Sequence, residues 1–178
     1  MIAAEGVTTE PQVFTILKDR HAVIRVTCLA GRHDHYPPQV RKRMEDHLRW
    51  KASPSSKEAC LVVDEEDAWT DEPLIHLHGW PQVGDDHGFA LGNPKFETRL
   101  LLHVGDGTHI ASSRDCRDLA EAVPPGYAKG ISGRNDPRDR IDAAIRRARL
   151  RDDPRYADRQ RALGGTTAYR LVETMLRI

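Results

Sequence analysis

No net charge marks this chain: its 27 lysines and arginines are matched by 27 aspartates and glutamates. A neutral molecule creates no global field, so any grip on nucleic acid or an anionic membrane must be local or borrowed from a partner. Cysteine is sparse. Cys28, Cys60 and Cys116 are odd in number and lack CxxC spacing, which argues against a disulfide framework and a thiolate zinc site and suits a reducing cytoplasm. Long apolar runs are missing as well. Glu5 interrupts the N-terminus before any h-region could form, so neither a signal peptide nor a membrane span is expected. Internal repeats and low-complexity tracts are also absent. What is present, 39% hydrophobic and 30% charged residues over 178 positions, fits one globular α/β domain with a sizeable core.

Three acidic islands stand out, each at the end of a short apolar run. They are Ile2-Ala3-Ala4-Glu5-Gly6, Cys60-Leu61-Val62-Val63-Asp64-Glu65-Glu66-Asp67, and Phe89-Ala90-Leu91-Gly92-Asn93-Pro94-Lys95-Phe96-Glu97. Buried parallel strands read as continuous hydrophobic runs, and the sites of open α/β sheets gather at the carboxyl ends of their strands. The islands are therefore expected to converge. Carboxylates brought together repel one another unless a cation neutralises them, and hard oxygen donors suit Mg²⁺ or Mn²⁺. The pattern points to metal-dependent phosphoryl transfer.

The elements between the islands alternate. Thr9-Glu10-Pro11-Gln12 carries a helix-start signature, with Thr9 able to cap, and Val13, Phe14, Ile16 and Leu17 give the buried face of a helix ending near His21. A strand is expected over 23–30, then a polar helix over 39–51 after the punctuation of Pro37 and Pro38. Strands over 60–63 and 88–92 follow. Beyond Gly105 the pattern turns helical, broken by a Pro- and Gly-rich loop over 124–137. Ile141, Ala144, Ile145 and Ala148, and later Ala168, Leu171, Val172, Met175 and Leu176, have the spacing of two amphipathic helices.

The islands also carry a likeness. Glu5-Gly6-Val7-Thr8-Thr9-Glu10-Pro11 with Phe14 resembles the EGxxTEP opening of RloB-like proteins, a branch of the Toprim superfamily associated with bacterial anti-phage defence. Asp64-Glu65-Glu66-Asp67 sits where that family carries its DxD acids, with Glu66 in place of the usual second Asp and Asp67 able to substitute for it. Asn93-Pro94-Lys95-Phe96-Glu97 leading into Leu100-Leu101-Leu102-His103 is similar to the NPxFE segment and the apolar helix after it. The stretches Arg140-Ile141-Asp142-Ala143-Ala144-Ile145-Arg146-Arg147-Ala148 and Thr166-Thr167-Ala168-Tyr169-Arg170-Leu171-Val172 match the family's tail.

The resemblance implies an α/β, Toprim-like three-layer sandwich, a short mainly parallel sheet between helices. One domain would cover 1–178, with 1–104 as the acidic-site core and 105–178 as a helical C-terminal extension. It implies a cytoplasmic nuclease effector of an abortive-infection system, dependent on Mg²⁺ or Mn²⁺ and working beside an ABC- or AAA-type ATPase. Glu5, Asp64, Glu66 and Glu97 would be catalytic, with Glu5 as general base, and Glu5, Asp64, Glu66 and Asp67 would hold the metal. Thr9, Glu10, Asn93 and His103 would bind substrate or support the site. The substrate would be nucleic acid, with transfer RNA or another structured RNA ahead of duplex DNA. No membrane partner is implied, and homo-oligomer formation stays open. Two other classes are compatible with the same residues: a non-catalytic regulatory subunit docking on its ATPase, and a primase-like nucleotidyltransferase.

Each of these residues also has a plainer reading. Glu5 and Gly6 can end a strand in a turn, Thr9 and Glu10 can cap a helix, and Asp64 to Asp67 can form a solvated acidic loop continued by Asp71 and Glu72. With Asn93 read as an N-cap and Pro94 as the first helical residue, the capping-box position falls on Phe96, so Glu97 is not needed for that box. His103 fits a satisfied core or surface group. His33-Asp34-His35 and His76-Leu77-His78 invite a zinc reading but lack third and fourth ligands at a recognised spacing. Residues 134–161 hold ten Arg and six Asp, whose interleaving favours intrahelical pairing over a phosphate-binding stripe.

Overall fold

Alternation of side chains along the strands decides this architecture. The computed structural model describes residues 1–20, 27–29, 36–50, 58–65, 71–84, 86–122, 138–152 and 164–176. Strands β1 (Ile2–Ala4), β2 (Cys28–Leu29), β3 (Ala59–Asp64), β4 (His87–Asn93) and β5 (Gly165–Thr166) form one sheet in the order β2-β1-β3-β4-β5. The first four run parallel, with Ala3 opposite Leu61 and Asp64 opposite Gly92. β5 is antiparallel to β4, pairing Thr166 with Gly92 and Gly165 with Asn93. The helices are α1 (Thr9–Arg20), α2 (Pro37–Trp50), α3 (Asp71–His78), α4 (Glu97–Leu101), α5 (Ser113–Ala122), α6 (Arg138–Arg151) and α7 (Ala168–Leu176).

Two hydrophobic layers lie on opposite faces of the sheet. Ile2, Cys60, Val62 and Ala90 face one way and pack with Val13, Phe14 and Leu17 of α1, Ile141, Ala144, Ile145 and Ala148 of α6, and Val172, Met175 and Leu176 of α7. Ala3, Leu61, Val63 and Leu91 face the other way, against Val40 and Met44 of α2, Leu74 and Leu77 of α3, and Trp80. The result is helix on sheet on helix. A one-residue slip of β3 would exchange Val62 with its neighbours between two differently shaped layers, which fixes the register. That register puts the ends of β1, β3 and β4 side by side.

Several local expectations change in three dimensions. Pro37 and Pro38 do not precede α2 but form its first turn, where a missing N–H costs nothing. Of the strand expected over 23–30, Cys28–Leu29 is strand and Thr27 is not, while residues 23–26 and 30 lie outside the described residues. Asp71 and Glu72 do not continue an acidic loop but are the first residues of α3. Asn93 is not a helix cap. It is the last residue of β4, and its carbonyl accepts the Gly164 N–H at 3.0 Å and the Thr98 hydroxyl at 3.3 Å. α4 begins four residues later, with Phe96 in the cap position. The reason is a close approach: a Cβ on Gly92 would stand 2.8 Å from the Lys95 carbonyl carbon and the Phe96 nitrogen, so the segment after Asn93 folds back over the strand before it can turn helical. The loop expected over 124–137 lies outside the described residues.

Candidate functional site

Glu5 leaves β1 still bound to the sheet, its N–H donating to the Val62 carbonyl at 3.0 Å. Its side chain is only 6% exposed, and Oε2 accepts the backbone N–H of Asp64 at 3.0 Å. One bond thus joins the first island to the second. The next residue is held as well: the Gly6 N–H donates to Oε1 of Glu10 at 3.0 Å, and Glu10 is 5% exposed. From the opposite layer the Arg43 guanidinium of α2 donates to the Ala4 carbonyl at 2.6 Å. The backbone that carries Glu5 is therefore fixed from both sides.

Asp64 ends β3 and is where the charges meet. Burial pushes its carboxyl well above the usual aspartate range, and the negative charges of Glu10, Glu5 and Glu97, in that order, push it further; Lys95 opposes them. Its Oδ1 is buried and has no hydrogen-bond partner among the described residues. Residues from all three islands therefore act on a single carboxylate. The third island is tied in by its backbone too, because the Glu65 N–H donates to the Gly92 carbonyl at 2.8 Å. Beneath it, the Thr98 hydroxyl lies 3.5 Å from the Cys116 sulfur. Burial, and beyond it the charges of Glu97 and Asp64, push the Cys116 thiol up to about 11.

Other expected residues fall elsewhere. Glu66 and Asp67 lie outside the described residues, as do His33 and His35. Thr9 is the first residue of α1, one position inside the expected cap, and the Gln12 N–H reaches back to the Thr8 carbonyl at 3.1 Å. His103 is buried within the turn that follows α4 and is not among the charges acting on Asp64. His76 and His78 sit in the last turn of α3, where the His78 ring packs edge-on against Phe89. Along α6, Arg147 donates to the Leu102 carbonyl at 2.7 Å and Arg149 pairs with Glu173 at 2.5 Å.

Arg43 and the clamp of Thr166 and Thr167 were not singled out as site residues by the sequence, and Glu10, expected only to support the site, acts on Asp64 directly. Arg43 looks like any helical arginine until the packing of α2 against β1 brings it to Ala4. Glu10 reads as a capping group, yet its charge acts on Asp64 more strongly than that of Glu5 or Glu97. Thr166 and Thr167 both clamp Leu91, two residues before Asn93. The only hint of that clamp was a pair of β-branched residues just ahead of α7.

The donor chemistry suits a hard divalent cation: carboxylates only, mutually repelling, with one buried oxygen unpartnered. Among the described residues no three His, Cys, Asp or Glu side chains are already drawn together around a common metal position. To hold an ion the carboxylates would have to close onto it.

The sequence model of the family described as RloB-like protein matches residues 1–175, nearly the whole chain. No curated protein and no solved structure matches it.

Proposed function

The chain belongs to the RloB-like family, and from that premise we propose that it is a divalent-metal-dependent nuclease on a Toprim-like fold, the effector of a bacterial anti-phage system. The observation that supports this reading is Asp64 at the end of β3, its Oδ1 buried without a hydrogen-bond partner among the described residues and its carboxyl acted on by the charges of Glu10, Glu5 and Glu97. An apo protein gains nothing from such repulsion. A site that awaits a cation does.

Asp64, Glu5 and Glu97, with Glu66 and Asp67, would hold Mg²⁺ or Mn²⁺. The ion would supply Lewis acidity towards a phosphodiester and neutralise charge that develops on it. Glu5, fixed by the Asp64 N–H, is the general base that takes a proton from the attacking water. Lys95, whose charge opposes the others on Asp64, would offer a cation to a phosphate oxygen. The substrate is nucleic acid, structured RNA ahead of duplex DNA, and the partner an ABC- or AAA-type ATPase in the cytoplasm. No helix among the described residues is long and apolar enough to cross a membrane.

The looseness of the carboxylates favours one rival, a docking subunit that never binds metal. A thermal melt with millimolar Mn²⁺ separates the two, since a ligand that binds only the native state raises the melting temperature. Wild type should shift and Asp64→Asn should not. In a cleavage assay Glu97→Gln should then abolish activity, while a pure helix-dipole role would cost only about 0.3–1 kcal/mol of stability and leave cleavage intact. Equal Mn²⁺ shifts in wild type and Asp64→Asn would remove the metal site.

A further inference from the structure

Helix α2 carries none of the proposed ligands, yet one of its side chains reaches the first island. Val40 and Met44 lie four residues apart on the face that packs against the sheet. Arg43, next to Met44, is partly buried, while Lys42 beside it is exposed. From the margin of that face the long arginine stem carries its guanidinium to the Ala4 carbonyl, which it meets at 2.6 Å. The described ladder between β1 and β2 ends with the pair Ala3 and Leu29. One residue beyond that pair, α2 takes hold of β1.

The Ala4 carbonyl and the Glu5 N–H belong to one peptide unit, which is planar and rigid. Its N–H donates to the Val62 carbonyl on β3 at 3.0 Å, and its carbonyl accepts from Arg43, so the plane is held at both ends. A plane held in this way sets the direction in which Glu5 leaves the strand, and Oε2 of Glu5 then accepts the Asp64 N–H at 3.0 Å. Satisfying a buried carbonyl asks only for a donor. An arginine brings a permanent positive charge as well, and near a site for a cation that charge by itself weakens binding. We propose that Arg43 is a positioning residue of the cation centre: its hold on the peptide between Ala4 and Glu5 aims the Glu5 carboxylate, and the gain in alignment outweighs the repulsion between guanidinium and ion. This rests on the cation-centre reading above. It extends the site to a helix that contributes no acid to it.

Charge and alignment predict opposite signs. The probe is Mn²⁺ alone, added to the full chain and read as the shift of the melting temperature over a titration. Arg43→Gln removes the charge and shortens the side chain; it should need about tenfold more Mn²⁺ or above to reach half its full shift, as when a group that orients metal ligands is lost. Arg43→Lys keeps a charged donor without the planar fork and should fall between wild type and Arg43→Gln. A lower Mn²⁺ requirement in Arg43→Gln would show a repelling charge and no more. An unaltered requirement, whatever the melting temperature in EDTA, would show a bond that serves the fold alone. Either result would overturn the proposal, as would an Arg43→Lys no better than Arg43→Gln. No Mn²⁺ shift in wild type would instead bring down the cation centre, and this inference with it. Should Arg43→Gln fail to fold, Arg43→Lys decides by itself: a higher requirement than wild type supports positioning, and the same or a lower one refutes it.

Discussion

At the scale of single residues, Asp64 connects folding to ionisation. Its carboxyl is raised by burial and by the charges of Glu10, Glu5 and Glu97, so the native state holds this proton more tightly than the unfolded chain does. The unfolded value lies near about 3.9. Below it both states are protonated and nothing is lost. As pH climbs from there towards the raised native value, the unfolded chain gives up its proton first, and the stability of the metal-free protein falls. Asp64→Asn removes that dependence. In EDTA the variant should therefore gain on wild type as pH rises from about 4, the unfolded value, towards the raised native one. Mn²⁺ should reverse the trend in wild type, because the ion needs the deprotonated carboxylate and stabilises more as pH rises. Melting temperatures of both proteins across that range provide the check; a constant difference in EDTA would mean that Asp64 does not ionise against its neighbours.

At the scale of elements, the third island depends on a strand of two residues. The Leu91 N–H donates to Thr167 Oγ1 at 2.8 Å, while Thr166 Oγ1 donates to the Leu91 carbonyl at 3.0 Å. Thr167→Val keeps the shape but leaves a buried N–H unsatisfied, at about 1–3 kcal/mol. A fall of several degrees in melting temperature is expected, with Thr167→Ser close to wild type; an unchanged Thr167→Val would show that the clamp contributes nothing. β5 was not legible in the sequence, since two residues become a strand only when a partner such as β4 is present. α6 and α7 were legible because Ile141, Ala144, Ile145 and Ala148, and Val172 and Met175, all face one core layer, and a helical period is a local property. α4 was placed too early because Asn-Pro is a good local helix start, and only the fold-back over Gly92 overrides it. The site divides the same way. Strand-terminal acids announce themselves in one dimension, whereas the reach of Arg43 to Ala4 and of Glu10 to Gly6 exists only after packing.

For the whole molecule, charge balance sets how it can meet a polyanion. The net charge of zero hides local order, for many basic side chains already face acids of the same chain: Arg41 with Glu45, Lys42 with Asp46, Arg149 with Glu173 and Arg170 with Asp152. Such surface pairs add little to stability, but they leave fewer cations to displace counterions from a phosphate backbone. Backbone affinity scales with the phosphates neutralised, so the isolated chain should cleave nucleic acid slowly and lose that activity steeply as salt rises. In the function proposed above, an ATPase that presented the substrate would supply the missing grip. Co-expression with such a partner and a phage trigger should therefore arrest growth only while Asp64 is intact. Equal arrest by wild type and Asp64→Ala would move the effector chemistry away from the carboxylates and leave this chain as the docking subunit of its ATPase.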